Sequence, residues 1–335
     1  MIPSAYSPEE ARGLWVFLEQ EAGRLEGVAL ELLGKGRELA GARGVALTGL
    51  LLGQGVEPAA RQAIAHGADH VLAADDPLLA VYTTDAYANV AAGVILDRKP
   101  ETLLLGATPN GRDLAGRLAV RLRTGLTADC TELAWEEGTE LLLGEVSGFG
   151  GGVMASIKCA RHRPQMATVR PGIFPPPGSD PERAGRIEFV PVSLDAGQIR
   201  TQILERVRHE GADITRAKVL VAGGRGVKGD FAPLQELARL LGGEVGASRV
   251  ACDLGWIGRD RQIGQTGFVT RPKVALVCGI SGATQFTVGV KGAGLIIAIN
   301  SDPEAPIFEE ADLCVVDDLF PVLEALIAEL KRGAA

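Results

Sequence analysis

Three short runs in the C-terminal half are apolar at almost every position, and they constrain the fold more than any other feature. They lie at residues 219–222, 274–278 and 295–299. A strand that is apolar on both faces is buried on both faces, so these runs predict a parallel sheet covered by helices. A Gly or Asn follows each run. In such sheets the ligand binds beyond the carboxyl ends of the strands, where these residues fall.

Strand and helix patterns alternate through the N-terminal half as well. Strands are predicted at 14–18, 45–52, 70–73 and 102–106, and helices at 28–40, 58–66, 82–96 and from Asn110 or Asp113 to Arg123. This alternation is typical of a parallel α/β sheet. From Asp129 to Arg170 the pattern changes to strands separated by Gly, with a flexible turn at 148–152, which predicts a mixed or antiparallel edge of the same sheet.

A proline-rich segment separates the two halves. Residues 171–181 include five prolines. Because proline lacks a backbone N–H and fixes φ, this segment cannot form the interior of a helix or of a central strand. We therefore predict two domains, 1–185 and 186–335, each a mainly parallel sheet flanked by helices. A strand at 187–192 leads into the second domain, which is predicted to be Rossmann-like.

Composition excludes several classes of protein. The chain has 335 residues, a net charge of −8 and a sequence pI near 5.2, which disfavours a nucleic-acid partner. Glu9 and Glu10 stand where a signal peptide carries basic residues, and no apolar run reaches 18 residues. We expect a cytoplasmic protein that is not embedded in a membrane.

Cysteine and histidine spacings indicate no metal site. The five cysteines form no Cys-x-x-Cys pair, and Cys278 lies inside an apolar run, as a buried small hydrophobe would. His66 and His70 are four residues apart, but Gly67 and a strand near His70 interrupt the helix that would align them.

A glycine pattern follows the first buried strand of the C-terminal half. Gly224, Gly226 and Gly229 match G-x-G-x-x-G, and a helix with Asp230 as a candidate cap comes next. Such a loop lets the backbone approach a pyrophosphate. The acidic residue expected about 20 positions later in an NAD site is poorly matched by Glu244. The pattern alone is weak evidence for NAD in a chain with 44 glycines.

Two further loops strengthen the prediction of a nucleotide-binding site. Residues 281–285 and 264–267 are rich in Gly and hydroxyl or amide side chains, which suits a diphosphate bound without a lysine. Arg249 follows Ser248 and is expected to place a positive charge over a ring that becomes anionic. Each loop alone is compatible with a solvated turn, but loops that face one sheet edge converge on one place.

Several ordered motifs resemble the electron-transfer flavoprotein alpha subunit. They are 223–226, 246–249, 262–267, 276–285, 297–300 and 302–308, together with 106–113 and 127–129 in the N-terminal half. The resemblance covers essentially the whole chain. It implies one FAD in the C-terminal domain and a beta subunit that completes a heterodimer, with an N-terminal domain that is structural and supports that subunit.

The family's FAD contacts carry over to sixteen positions. Arg225 and the loop from Ile263 to Thr266 are expected near the flavin or ribityl chain, with Thr266 at the flavin N5. Arg249 would face the isoalloxazine ring, where a permanent cation favours the negatively charged reduced flavin. The full set is Arg225, Ser248, Arg249, Ile263, Gly264, Gln265, Thr266, Ser281, Gly282, Ala283, Thr284, Gln285, Phe286, Asn300, Asp318 and Leu319.

Within that set, Ser248 and the loop from Ser281 to Gln285 are expected at the phosphates and ribityl chain, and Asn300, Asp318 and Leu319 at the adenosine end. Phe286 stands where many relatives have His. A His there can donate a hydrogen bond to the flavin C2 carbonyl, and Phe cannot. We therefore hypothesise that the flavin potential depends more on Arg249 and on backbone amides.

The resulting prediction is an electron carrier without substrate turnover of its own. It would accept electrons from flavin dehydrogenases, such as the acyl-CoA dehydrogenases of fatty acid β-oxidation, and pass them to a membrane quinone oxidoreductase. No catalytic residue and no metal ligand is assigned. Two alternatives stay open: a nicotinamide-dependent Rossmann oxidoreductase and a non-redox, nucleotide-binding structural subunit. The sequence does not indicate the donor, or whether the complex bifurcates electrons.

Overall fold

Two compact α/β units, residues 1–206 and 207–335, make up the chain in the computed structural model. The structure describes residues 5–147, 154–195, 197, 199–205 and 214–333, so the turn predicted at 148–152 lies outside the described residues. Each unit has a parallel sheet with helices on both faces, as the apolar runs predict.

The first unit contains twelve described strands and four α-helices. The strands are β1 (Leu14–Phe17), β2 (Gln20–Glu21), β3 (Arg24–Leu25), β4 (Leu47–Gly53), β5 (His70–Asp75), β6 (Thr102–Gly106), β7 (Leu126–Cys130), β8 (Glu132–Trp135), β9 (Leu142–Ser147), β10 (Met154–Lys158), β11 (Gln165–Val169) and β12 (Arg186–Phe189). The helices are α1 (Gly27–Arg43), α2 (Glu57–Ala65), α3 (Thr84–Arg98) and α4 (Pro109–Leu122). The elements predicted in the N-terminal half are confirmed, with ends that differ by a few residues.

Seven of these strands form one sheet in the order β12-β5-β4-β1-β6-β11-β7. Every pair is parallel, including β11 with β6 and with β7. The prediction of an antiparallel edge was therefore wrong, because the antiparallel strands β8, β9 and β10 form a sheet of their own. One face of the large sheet packs against apolar residues of α1 and α2, and the other against α3 and α4.

The predicted boundary after residue 185 also differs from the structure. Strand β12 pairs in parallel with β5, so residues 186–189 complete the first sheet. The proline-rich segment lies on this unit: Phe174 is buried in its core, and the Asp180 N–H donates to the Ala65 carbonyl at 2.8 Å. Proline forbids regular structure but not packing, so the segment covers the first unit and does not separate the two.

The second unit contains five described strands in the order β14-β13-β15-β16-β17, all parallel. They are β13 (Val219–Gly223), β14 (Glu244–Ala247), β15 (Val274–Cys278), β16 (Ile296–Asn300) and β17 (Leu313–Val316). The helices are α5 (Ala232–Leu241), α6 (Arg249–Asp253), α7 (Thr284–Thr287) and α8 (Leu319–Gly333). Helices α5, α6 and α8 cover one face of the sheet.

Helix α8 packs on its own unit through apolar residues. Leu319 and Leu323 are buried in the cluster that also holds Leu234 and Leu237 of α5. Leu326 of the same helix is 39 % exposed. None of the helices in the described part of the chain is long and apolar enough to cross a membrane.

Candidate cofactor-binding site

A crevice opens at the carboxyl ends of β13 and β15. These strands are neighbours in the sheet, although β14, on the other side of β13, comes between them in the chain. This change of direction is a topological switch point, where open α/β sheets bind their ligands. The Gly224 N–H donates to the Cys278 carbonyl and the Gly226 N–H to the Gly279 carbonyl, both at 3.0 Å, so the two loops are joined edge to edge.

Glycine is required where these loops meet. A Cβ atom on Gly226 would lie 2.7 Å from the Gly279 Cα, closer than real Cβ atoms approach a backbone atom. Gly279 has a φ of 59°, in the left-handed region that favours glycine. The glycines after β13 and β15 therefore let the two backbones pack together at the crevice, where their own N–H groups donate to backbone carbonyls.

The crevice is a cavity of about 780 Å³, a volume in the usual range for organic ligands. Twelve of the sixteen predicted contact residues lie on its wall. They are Arg225, Ser248, Arg249, Ile263, Thr266, Ser281, Ala283, Gln285, Phe286, Asn300, Asp318 and Leu319. The structure thus brings together residues that are up to 94 positions apart, between Arg225 and Leu319.

Four predicted contacts are not on the cavity wall: Gly264, Gln265 and Gly282, which lie in loops, and Thr284, which begins α7. Gly264 and Gly282 have φ values of 122° and 88°, and a Cβ on Gly282 would lie 2.1 Å from the Ile307 nitrogen. The Gln265 N–H donates to the Gln285 carbonyl at 2.7 Å, which ties two loops together. These residues shape the cavity through their backbone.

Lys228, which was not among the predicted contacts, also lies on the wall. Its position inside the glycine pattern was a usable signal, because a cation beside a phosphate-binding loop is common. Lys228 adopts a left-handed conformation with a φ of 52°. The wall also includes seven residues that were not predicted as contacts: Val250, Ile280, Ser301, Asp302, Ala305, Pro306 and Phe320.

The wall carries three cations and two carboxylates. Arg225, Lys228 and Arg249 are the cations, and Asp302 and Asp318 the carboxylates. The three cations attract a diphosphate, and a guanidinium group can donate two hydrogen bonds to a pair of phosphate oxygens. Asp318 is already engaged, since its Oδ1 accepts from the Phe320 N–H at 3.0 Å at the start of α8.

Asn300 is held by its own chain at the end of β16. Its Nδ2 donates to the Ile280 carbonyl at 2.9 Å, and its Oδ1 accepts from the Asp302 N–H at 3.0 Å. The side chain thus fixes the loops after β15 and β16 relative to each other. Its clearest function in this structure is to define the shape of one end of the cavity.

Phe286 supplies an apolar section of the wall. Its side chain is 6 % exposed and packs with Ile263 and Ile307 in the second core cluster of this unit. At the end of β15, burial raises the pKa of the Cys278 thiol to about 12, so this residue is an inert, protonated core side chain. Among the described residues, no group of three His, Cys, Asp or Glu side chains is placed to hold a metal ion.

Glu244, the acidic residue considered for an NAD ribose, is outside the cavity. It begins β14 and pairs in the sheet with Leu220 near the start of β13, at the end opposite the crevice. Its Oε2 accepts from the Arg261 Nη1 at 2.7 Å. The residue that the nicotinamide alternative requires is therefore engaged in an ion pair elsewhere.

The loop after β6 in the first unit leads into the N-terminus of α4, and helix N-termini attract anions. Thr108 caps α4, and its hydroxyl donates to the Glu19 carboxylate at 2.7 Å. Burial raises the pKa of Glu19. A neighbouring cavity of about 290 Å³ is lined by Glu19, Glu21 and Glu26. A carboxylate thus occupies the position next to the helix N-terminus, which disfavours a phosphate there.

A doubly wound sheet, a glycine crevice at its switch point and three cations on the crevice wall define an α/β protein that binds a phosphate-containing dinucleotide. Residues 14–195 match the family described as the Electron transfer flavoprotein domain. Residues 213–291 match the Electron transfer flavoprotein FAD-binding domain.

Curated relatives are similar over nearly the whole chain. "Electron transfer flavoprotein subunit alpha" of Clostridium acetobutylicum is 50 % identical, covering 96 % of this chain and 98 % of the relative. The subunit of the same name from Thermoanaerobacterium thermosaccharolyticum is 46 % identical, with 96 % and 98 % covered. "Acryloyl-CoA reductase electron transfer subunit beta" of Anaerotignum propionicum is 41 % identical, with 96 % of each covered. The chain belongs to the electron transfer flavoprotein alpha-subunit family.

FAD is the cofactor of this family's C-terminal domain, and the cavity fits it. The cations Arg225, Lys228 and Arg249 suit the two phosphates. The apolar side chains of Ile263, Phe286 and Leu319 suit rings, and hydroxyl groups of Ser248, Thr266 and Ser281 line the wall between. When bound, FAD supplies the redox chemistry, and the chain binds, orients and electrostatically tunes it.

Proposed function

We propose that this chain is the FAD-holding subunit of a heterodimeric electron carrier. It accepts electrons from flavin dehydrogenases, such as the acyl-CoA dehydrogenases of fatty acid β-oxidation, and delivers them to a membrane quinone oxidoreductase. A beta subunit completes the protein, and the first unit is the structural support for that partner. We retain the cytoplasmic location predicted from the sequence.

The observation that carries this proposal is the composition of the crevice at the switch point. Its wall presents the hydroxyl residues Ser248, Thr266 and Ser281 and the cations Arg225, Lys228 and Arg249. These groups bind a dinucleotide and stabilise negative charge on a ring. The names of the relatives support the same role, because they describe electron transfer subunits, one of them belonging to an acryloyl-CoA reductase.

The sixteen residues retain the assignments implied by the resemblance, as proposals. Thr266 and Arg249 face the isoalloxazine ring, and Ser248, Ser281 and Gln285 face the phosphates and ribityl chain. Asp318 and Leu319 border the adenosine. We also assign Lys228 to the residues that face the phosphates, because it lies on the same cavity wall as Arg225.

Co-expression with the beta subunit tests the proposal. We expect a yellow heterodimer whose bound flavin is bleached by an acyl-CoA dehydrogenase and its substrate, and is reoxidised by a quinone oxidoreductase. Bleaching of NADH by the complex without any dehydrogenase would favour the nicotinamide alternative. A colourless complex after addition of FAD would favour the structural alternative.

Lys228→Ala tests the phosphate assignment within the same complex. We expect the FAD dissociation constant to rise by about ten- to a hundredfold, because one charge-assisted contact contributes roughly 1.5–3 kcal/mol. Lys273→Ala is the matched control, since Lys273 lies in the same unit and is not on the cavity wall. An equal loss of affinity in both variants would contradict the assignment.

A further inference from the structure

One neighbour determines how the Thr266 hydroxyl can hydrogen-bond. The Gln262 Nε2 donates to the Thr266 Oγ1 at 2.9 Å. The Gln262 side chain is 5 % exposed and is not on the cavity wall, whereas Thr266 is. Gln262 can therefore influence a ligand in the cavity through Thr266, without touching the ligand.

A hydroxyl group has one proton to donate and two lone pairs to accept with. The Gln262 amide occupies one lone pair of Thr266, which leaves the proton to be donated in another direction. No acceptor for this proton is found among the described residues of 214–333. A ligand bound in the cavity can supply an acceptor for the Thr266 proton.

The loop that carries both residues is held by its backbone. The Ile263 N–H donates to the Ala247 carbonyl and the Phe268 N–H to the Gln262 carbonyl, each at 2.8 Å. The Gly267 N–H donates to the Gly264 carbonyl at 3.0 Å. Because these bonds do not involve the Gln262 side chain, that side chain can be changed while the loop keeps its course.

We propose that Gln262 is a positioning residue that directs the Thr266 proton at an acceptor atom of the flavin ring. The inference rests on the proposed function, since it requires the ring of FAD to lie against Thr266. A hydrogen bond donated to the ring stabilises the negative charge that reduction brings. Gln262 thereby raises the potential of the first electron transfer without contacting the cofactor.

A double-mutant cycle in the FAD-loaded heterodimer tests the inference. We expect Gln262→Met and Thr266→Val each to lower the first one-electron potential by up to about 59 mV, which corresponds to a tenfold change. In the Thr266→Val background, Gln262→Met should cause no further shift in potential, because the Thr266 hydroxyl through which Gln262 acts on the flavin is already absent. Gln235→Met is the control, as Gln235 is exposed on α5 and is not on the cavity wall.

Gln262→Glu provides a second variant with almost the same shape. A carboxylate only accepts, so Thr266 would donate to it and withdraw its proton from the flavin. The potential should then fall more in the native background than in the Thr266→Val background. If Gln262→Met leaves the potential unchanged, or shifts it equally in both backgrounds, the inference is overturned. A native complex that binds no FAD would instead overturn the proposed function.

Discussion

Arg249 donates from Nε to the Oδ2 of Asp253 at 3.2 Å, one turn later on α6. The same carboxylate accepts from the Arg259 Nη2 at 3.1 Å, so two guanidinium groups share one negative charge. Arg249 lies on the cavity wall and Asp253 does not. The charge that Arg249 presents to a cofactor is therefore partly offset by a carboxylate outside the cavity.

Removing this carboxylate should raise the flavin potential. Asp253→Asn leaves Arg249 with less compensation, so we expect the bound FAD to become easier to reduce by up to about 59 mV for the first electron. Potentiometry of the heterodimer measures the shift. Asp260→Asn removes an equal charge that pairs with Arg261 and not with Arg249. Equal shifts in the two variants would contradict a specific effect through Arg249.

Phe286→His tests whether the apolar wall lowers the flavin potential. A histidine there can donate a hydrogen bond to the reduced ring, which phenylalanine cannot. We expect the potential for the first electron to rise by roughly 59 mV, a tenfold change. Phe286→Leu should leave the potential close to its native value. An unchanged potential in Phe286→His refutes the hypothesis.

Gly226→Ala should weaken FAD binding while the second unit stays folded. The added methyl group would lie 2.7 Å from the Gly279 Cα, so the two crevice loops must separate. We expect at least a tenfold loss of affinity, or about 1.4 kcal/mol, by fluorescence titration of the FAD-free heterodimer. Gly333→Ala is the control, because no atom lies within 4 Å of a Cβ at that position. Native affinity in Gly226→Ala would show that the loops tolerate separation.

Leu323→Ala should destabilise the second unit. Leu323 is fully buried in the cluster between α8 and α5, and truncation of a buried leucine costs about 2–5 kcal/mol. Thermal and urea unfolding of the heterodimer measure the loss. Leu326→Ala is matched in chemistry but 39 % exposed, and should change the unfolding free energy by about 0.5 kcal/mol or less. Similar losses in both would mean that α8 is packed differently.

Glu236 connects α5 to α8 and should make the stability of this unit depend on acid pH. Arg239 and Lys331 lower the pKa of Glu236 from 4.5 to about 2. Because the folded-state pKa is the lower one, the stabilising effect is complete above about pH 4.5 and is lost as the pH falls towards 2. Melting temperatures across this range should fall less steeply in Glu236→Gln. Glu329→Gln, which breaks a pair within α8, should follow the native curve.

The sequence alone predicted the class of fold and most of the cavity wall. Apolar runs indicated β13, β15 and β16, and twelve of the sixteen predicted contact residues lie on the wall. The strand predictions depend on local patterns: burial on both faces makes a strand apolar throughout, and the loops after such strands meet at one edge. The contact residues, in contrast, were implied by the resemblance to a known family. The family resemblance rested on the same loops.

Pairings between distant residues were decided by the tertiary structure. The sequence placed residues 186–189 in the second domain, yet they pair with β5 in the first sheet. It also did not indicate that Asp253 would share its charge between Arg249 and Arg259, or that Gln262 would bind Thr266. The physical reason is that periodicity and turn chemistry record the local environment of each residue. Strand partners and hydrogen-bond partners depend on which surfaces come together when the chain packs.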